Sequence, residues 1–306
     1  MNGLKVLISP LSWGFGHAGR MIPLALALQR RGCDVVFAAD AQLLQMAEKE
    51  IPGIEAVEIP GLRIRYSHRL PQYICIFLQL PVLVVSAIRE HRDLRRLAAN
   101  LQPALIISDN RFGFWHKNIF SVYVTHQVRI AFPRFLGWLE PVAAWLHRLI
   151  INRYDLCLVP DYPGEMNLSG RLSHGMKLPR NLVYKGPLSR FEVPDIVTLP
   201  PFPGSYDTVI AWLSGHDPIY PSATGTGRAS PHLAKSDRFP GHPYTCLILS
   251  GPEPQHSMLL EKVEEVIHGF PLVVLSATPV EDRITSGPEI QLIISADTAT
   301  MRDVIT

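Results

Sequence analysis

The constraint that most narrows the fold of this chain lies at its N-terminus, where a strand, a tight turn, a helix and a second strand follow in close order. Leu4-Lys5-Val6-Leu7-Ile8 is a short apolar run closed by Ser9-Pro10, the pattern of a buried central strand. Residues 21–31 then carry helical spacing, with Pro23 in the expected first turn, arginines in the last and Gly32 placed to end the helix. Asp34-Val35-Val36-Phe37-Ala38-Ala39 is the next strand. Such a βαβ unit crosses over right-handedly and builds a parallel sheet, so a doubly wound α/β domain is expected. The same reading places strands at 104–108, 121–125 and 156–160, and helices at 41–50, 83–100 and 136–150. In open sheets of this kind ligands bind beyond the carboxyl ends of the strands.

A chain of 306 residues has room for two domains of ordinary size. Residues 1–191 read as an N-terminal Rossmann-like domain. Residues 192–243 are dense in Pro, Gly, Ser and His, the composition of a linker or insertion. Ordered patterning resumes at 244, with strands at 244–250, 272–276 and 290–294 and a helix at 258–267, so residues 244–306 are expected to begin a second α/β domain that is incomplete at Thr306. Residues 205–215 look like a first copy of the strand that recurs at 244–251, with an insertion between the copies.

The 29 basic and 27 acidic residues nearly balance, and nothing in them calls for nucleic acid as a partner. Cys33, Cys75, Cys157 and Cys246 are too scattered for a zinc site or a disulfide scaffold, which fits reduced thiols in the cytoplasm. The N-terminus carries a strand pattern and not that of a secretion signal. Residues 73–88 are mostly apolar but include Gln79, Pro81 and Ser86, and they are shorter than the roughly 20 residues of a membrane-spanning helix. Arg89, Arg92, Arg95 and Arg96 follow directly. An apolar segment joined to a basic one fits either a buried helix with a solvated end or peripheral contact, through residues 73–96, with the inner face of the membrane.

The chemistry gathers at strand ends. In Ser12-Trp13-Gly14-Phe15-Gly16-His17-Ala18-Gly19-Arg20, the glycines let the backbone approach a ligand, and the helix start beyond offers free N–H groups. Gly14, Gly16 and Gly19 also satisfy the letter of the dinucleotide fingerprint, and Asp40 loosely supplies its acidic residue, so an NAD(P)-dependent oxidoreductase is a second reading. His17 stands where a general base or a hydroxyl-holding group would act, although its ring can also cap the turn. Asp109 ends a strand and can pair with His17 or with Arg111, or simply form a turn. His126 ends the next strand, so that His17, Asp109 and His126 are expected to converge on one cleft, with Arg20 and Arg111 beside them.

Six ordered motifs carry a family resemblance. They are Gly14 to Arg20, Ser108-Asp109-Asn110-Arg111-Phe112-Gly113, Thr125-His126-Gln127, Val159-Pro160-Asp161, the run from Asn167 to His174, and Gly186-Pro187-Leu188-Ser189-Arg190-Phe191. Together they resemble a bacterial family of predicted glycosyltransferases related to the lipid II-forming N-acetylglucosaminyltransferase and to the UDP-glycosyltransferases. The likeness resumes at residues 249–255, which are similar to the first loop of that family's donor-binding domain. The resemblance implies a GT-B-like fold of two doubly wound domains, with acceptor on the first and nucleotide sugar on the second. It implies metal-independent transfer of a hexosyl or N-acetylglucosaminyl group from a UDP-sugar to a hydroxyl of a glycan or lipid-linked acceptor, with no resident cofactor. His17 and Asp109 would be catalytic, Gly14, Gly16, Arg20, Arg111 and His126 would bind acceptor, and Ser250, Gly251, Glu253 and Gln255 would bind donor. The chain departs from the family by ending before the glycine-rich turn and acidic residue that grip the nucleotide, which sets a non-catalytic, truncated binding protein beside the transferase as an alternative.

Overall fold

The computed structural model describes residues 3–61, 72–165, 167–175, 177–188, 206–215, 245–249, 272–276 and 290–294. The chain divides into two compact units, one of residues 1–12, 17–62 and 79–222, the other of residues 13–16, 63–78 and 223–306.

The first unit is built on a seven-stranded, all-parallel sheet. Its strands are β1 (Lys5–Pro10), β2 (Asp34–Ala39), β3 (Glu55–Glu58), β4 (Leu105–Asp109), β5 (Phe120–Val124), β6 (Leu156–Val159) and β7 (Leu182–Tyr184), in spatial order β3-β2-β1-β4-β5-β6-β7. The register is continuous at the centre, with Leu7 opposite both Val36 and Ile106. The central strands are buried along nearly their whole length, as expected of a parallel sheet covered on both faces. Leu7, Val36, Ile106, Leu94 and Phe114 form one core cluster, and Tyr123, Tyr154, Cys157 and Ile151 another.

Helix α1 (Phe15–Arg30) joins β1 to β2, and α2 (Ala41–Glu50) joins β2 to β3. Asp40 caps α2 by accepting the Leu43 N–H at 3.1 Å. Helix α1 starts earlier than the 21–31 expected, so Gly16 and Gly19 are helical and Pro23 lies well inside the helix, where it removes one internal hydrogen bond. Helix α3 (Gln72–Leu78) is followed by α4 (Leu80–Leu101), with Pro81 in the first turn of α4, where its missing N–H is not needed. Helix α5 (Glu140–Ile151), preceded by a 3₁₀ turn at Arg134–Leu139, leads into β6.

Within 205–215, read as a strand copy from its sequence, residues 206–214 form instead helix α6 (Tyr206–Ser214). Val209 and Leu213, four apart, are its buried positions, and this helical period prevails over the apolar run of 209–213. Lys185, itself buried, bonds the carbonyls of Trp212 and Gly215 at the end of this helix. The second unit contains a three-stranded parallel sheet, β8 (Thr245–Leu249), β9 (Leu272–Ser276) and β10 (Ile290–Ile294), in the order β10-β9-β8. The helix expected at 258–267 lies outside the described residues.

Candidate functional site

The strand order reverses between β1 and β4, and in open parallel sheets such a switch point is where ligands bind, beyond the carboxyl ends of the strands. β1 runs out into the glycine turn and α1, and β4 ends on Asp109. The candidate residues therefore meet at the topological switch point. Gly14 alone of the three glycines in the turn has a positive φ, +145°, and the chain becomes helical at the next residue. Because α1 begins at Phe15, His17 and Arg20 are three residues apart on a helix, one turn from each other on one face.

Both reach Asp109, which is fully buried. Arg20 Nε donates to Asp109 Oδ2 at 2.7 Å and Nη2 donates to Oδ1. His17 Nδ1 lies 3.1 Å from Asp109 Oδ2 and 2.9 Å from Arg20 Nη2. The other end of the guanidinium, Nη1, bonds His126 Nδ1. One arginine thus joins an aspartate from β4, a histidine on its own helix and a histidine just after β5. Burial alone would raise the Asp109 carboxyl, but the charge of Arg20 and then His17 outweigh it and hold the group below the usual aspartate value. Burial, reinforced by Arg20, brings His126 down to about 4, so this imidazole is neutral at pH 7.

Of the expected acceptor-side residues, Arg111 does not join this cluster. Only 1% exposed, its Nε donates to the Pro10 carbonyl at 2.9 Å, its Nη2 lies 3.4 Å from Ser12 Oγ and its Nη1 lies 3.8 Å from Glu90. It thereby holds Pro10 and Ser12, where the chain leaves β1. Glu90 also accepts the Gly113 N–H at 3.3 Å, and burial pushes its carboxyl up against the lowering effect of Arg111. A Cβ at Gly113 would lie 1.9 Å from the Ala87 carbonyl oxygen, so α4 and this loop approach too closely for any side chain. Sequence reasoning passed over Glu90, although Glu90, Leu94 and Ala98 recur every four residues as the buried stripe of α4.

A second buried carboxylate, within the Val159-Pro160-Asp161 motif, organises the loop after β6. Asp161, at the end of β6, accepts N–H groups from Tyr162, Leu168 and Ser169 at 2.8, 2.8 and 2.9 Å, and His174 Nε2 stands 3.2 Å away. These bonds overcome the raising effect of burial and take Asp161 to about 2. His147 Nδ1 donates to the Val128 carbonyl and its Nε2 lies 3.1 Å from the Tyr123 hydroxyl, which makes it a satisfied core histidine. Burial raises the Cys33 thiol to about 11 and Cys157 to about 12, so neither is poised as a nucleophile. Asp40, the acidic residue offered for the dinucleotide reading, is engaged as the cap of α2. Ser250, Gly251, Glu253 and Gln255 lie outside the described residues.

No family model matches the chain, and no curated protein matches it in sequence. Among solved structures it is similar to the spinosyn rhamnosyltransferase SpnG, with a TM-score of 0.51 at 18% identity over 96% of this chain and 71% of that one. The chain has that enzyme's fold. Looser likenesses are to the glycotransferase of kitacinnamycin, with a TM-score of 0.48 at 13% identity over 100% of this chain and 78% of that one, and to MnaA of S. aureus with UDP, with a TM-score of 0.49 at 14% identity over 99% and 72%. The GT-B-like α/β fold expected from the motifs is thus met at the level of architecture.

Proposed function

We propose that this chain is a glycosyltransferase in which His17 takes the proton from an acceptor hydroxyl while Asp109, charged by its pairing with Arg20, steadies the imidazolium that forms. The observation that carries the reading is the His17 and Asp109 contact of 3.1 Å at the switch point of the sheet. A carboxylate at Nδ1 with Nε2 left for the substrate is the arrangement of a histidine general base. The fold shared with a rhamnosyltransferase supports the reaction class. A hexosyl or N-acetylglucosaminyl group from a UDP-sugar is the donor that the sequence motifs favour. Transfer would proceed without a metal or resident cofactor, as the resemblance implies. Residues 1–191 would hold the acceptor and 244–306 the nucleotide, with Gly14 and Gly16 shaping the acceptor approach and residues 250–255 the donor loop. The test is release of UDP from UDP-N-acetylglucosamine and UDP-glucose in the presence of cell-extracted glycolipid. We expect His17→Ala to lower turnover by about 10²–10⁴-fold; turnover unchanged in that variant removes the base from His17.

A peripheral membrane site is the partner reading that the exposed apolar surface favours. Leu80, Val82, Val84, Val85 and Ile88 are exposed on the N-terminal half of α4, and Arg89, Arg92, Arg95 and Arg96 follow on its exposed face. Trp138 and Trp145, 71% and 59% exposed, are further apolar surface at the 3₁₀ turn and α5. Aromatic and aliphatic side chains at the bilayer interface, with arginines for anionic headgroups, suit a lipid-linked acceptor. Among the described residues no helix is long and apolar enough to cross a membrane.

A further inference from the structure

The two histidines that share Arg20 are chemically alike, yet only His17 also has a carboxylate at its Nδ1, so the two rings face different demands on their proton positions. A guanidinium carries donors only. Arg20 Nη1 bonds His126 Nδ1, so that nitrogen must offer its lone pair, and a neutral ring then carries its one proton on Nε2. The groups whose charge reaches this ring are Arg20, Asp109, His17 and Asp161. Of these, Arg20 alone touches Nδ1 with an N–H, and no described carboxylate reaches it to draw a proton there.

His17 stands under the opposite demand. Its Nδ1 lies near an acceptor, Asp109 Oδ2 at 3.1 Å, as well as near the donor Nη2 of Arg20 at 2.9 Å. A proton on Nδ1 satisfies the carboxylate and leaves the Nε2 lone pair for substrate. Nη2 has its own acceptor in Asp109 Oδ1, so it does not depend on the His17 lone pair. Nε2 of neither ring has a hydrogen-bond partner among the described residues.

We infer that Arg20 and Asp109 together sort the two rings by tautomer, Arg20 fixing His126 as an Nε2–H donor that cannot act as a base and Asp109 leaving His17 as the proton acceptor of the pair. This deepens the transferase reading and rests on it for its consequence. An acceptor oxygen would accept from His126 Nε2–H while its own proton passes to His17 Nε2, giving an imidazolium hydrogen-bonded to Asp109. A hydroxyl meets both demands. A protonated amine has no lone pair for His126 and brings a further positive charge beside Arg20. His126 is thereby a recognition residue for oxygen nucleophiles, and Arg20 is the positioning residue behind it.

The tautomer can be measured without any turnover, by long-range ¹H–¹⁵N correlation spectra of the whole chain labelled at histidine nitrogen. The His126 signals are identified by their loss in His126→Gln, or in His126→Asn should the first not fold. At pH 7 we expect His126 to show an unprotonated Nδ1 and a protonated Nε2, and to stay neutral down to below pH 5. In Arg20→Met the same ring should lose its tautomer preference and titrate closer to the ordinary histidine value near 6.5. A protonated Nδ1 on His126 in the native chain overturns the inference. So does a tautomer and titration unchanged by Arg20→Met in a variant whose histidine signals, apart from those of His17, keep their native positions. If the spectra agree while no nucleotide sugar is turned over, the transferase reading alone has failed.

Discussion

Arg20 meets Asp109 side-on: Nε donates to one carboxylate oxygen at 2.7 Å and Nη2 donates to the other, around an acid that has no exposure to solvent. Such a pair is a structural commitment as well as a chemical one, because breaking it by removing one member leaves the other charge in a poorly hydrated place. Asp109→Ala is therefore expected to cost about 3 kcal/mol of stability. Urea unfolding of the variant measures this, and a loss below about 1 kcal/mol would place the pair in the class of screened surface bridges instead.

Acid should unfold the loop after β6 in a defined window. The Asp161 carboxyl is depressed to about 2 from an ordinary 3.8, so the unfolded chain binds the extra proton between those values and stability rises with pH across them. The contribution, roughly 2 kcal/mol by the linkage relation, is present above about pH 4 and is lost as pH falls towards 2. Asp161→Asn should be the less stable protein at pH 6, and its unfolding free energy should converge with that of the native chain by about pH 2. Parallel curves across that range would assign the stabilising role to other groups.

Helix α6 is tied to the first unit by a buried cation. Lys185 Nζ bonds the Gly215 carbonyl at 3.1 Å and the Trp212 carbonyl, and stands 5.4 Å from the Trp212 ring centre. A lysine at the carbonyl end of a helix also opposes the negative end of its dipole. Lys185→Met leaves those carbonyls without their donor, at a cost of about 1–3 kcal/mol. Amide exchange in residues 206–214 should accelerate ahead of the central strands. Exchange as slow as in the native chain would show that the apolar contacts of Val209 and Leu213 suffice.

How far the sequence discloses all this depends on the element. The central strands β1, β2, β4, β5 and β6 are legible because burial on both faces makes them continuous apolar runs. β3 and β7 are not, since Glu55–Glu58 is polar at both ends and Leu182–Tyr184 has only three residues, all partly exposed. The start of α1 is hidden by glycines that normally signal a loop, and with it the helical spacing that aims His17 and Arg20 together. Convergence of His17, Asp109 and His126 follows from strand ends and could be anticipated. The part taken by each arginine could not, because a charge reads as solvated until its partners are known, and Arg111 finds its partners in a carbonyl and a carboxylate far apart in the chain.

Membrane contact is testable through residues that contribute little to the fold. Trp138 and Trp145 are exposed, so Trp138→Ser and Trp145→Ser together should leave thermal unfolding nearly unchanged, surface substitutions usually falling within about 0.5 kcal/mol. Co-sedimentation with vesicles of phosphatidylglycerol and phosphatidylethanolamine should fall at least several-fold in the double variant. Binding equal to that of the native chain, or binding absent in both, defeats the proposal.

Asn110, next to the buried carboxylate, has a φ of +52°, and its N–H bonds the Val124 carbonyl at 3.1 Å while the Tyr123 hydroxyl stands 3.2 Å from its side-chain oxygen. Few residue types enter that backbone region without penalty, and β-branched ones are the poorest. Saturation mutagenesis at this codon should therefore return a short alphabet of Asn, Gly and Asp. Substitutions such as valine would disturb the β4 terminus although they leave every ionisable side chain in place. The reach of random variation at this position is limited by a torsion angle before it is limited by chemistry.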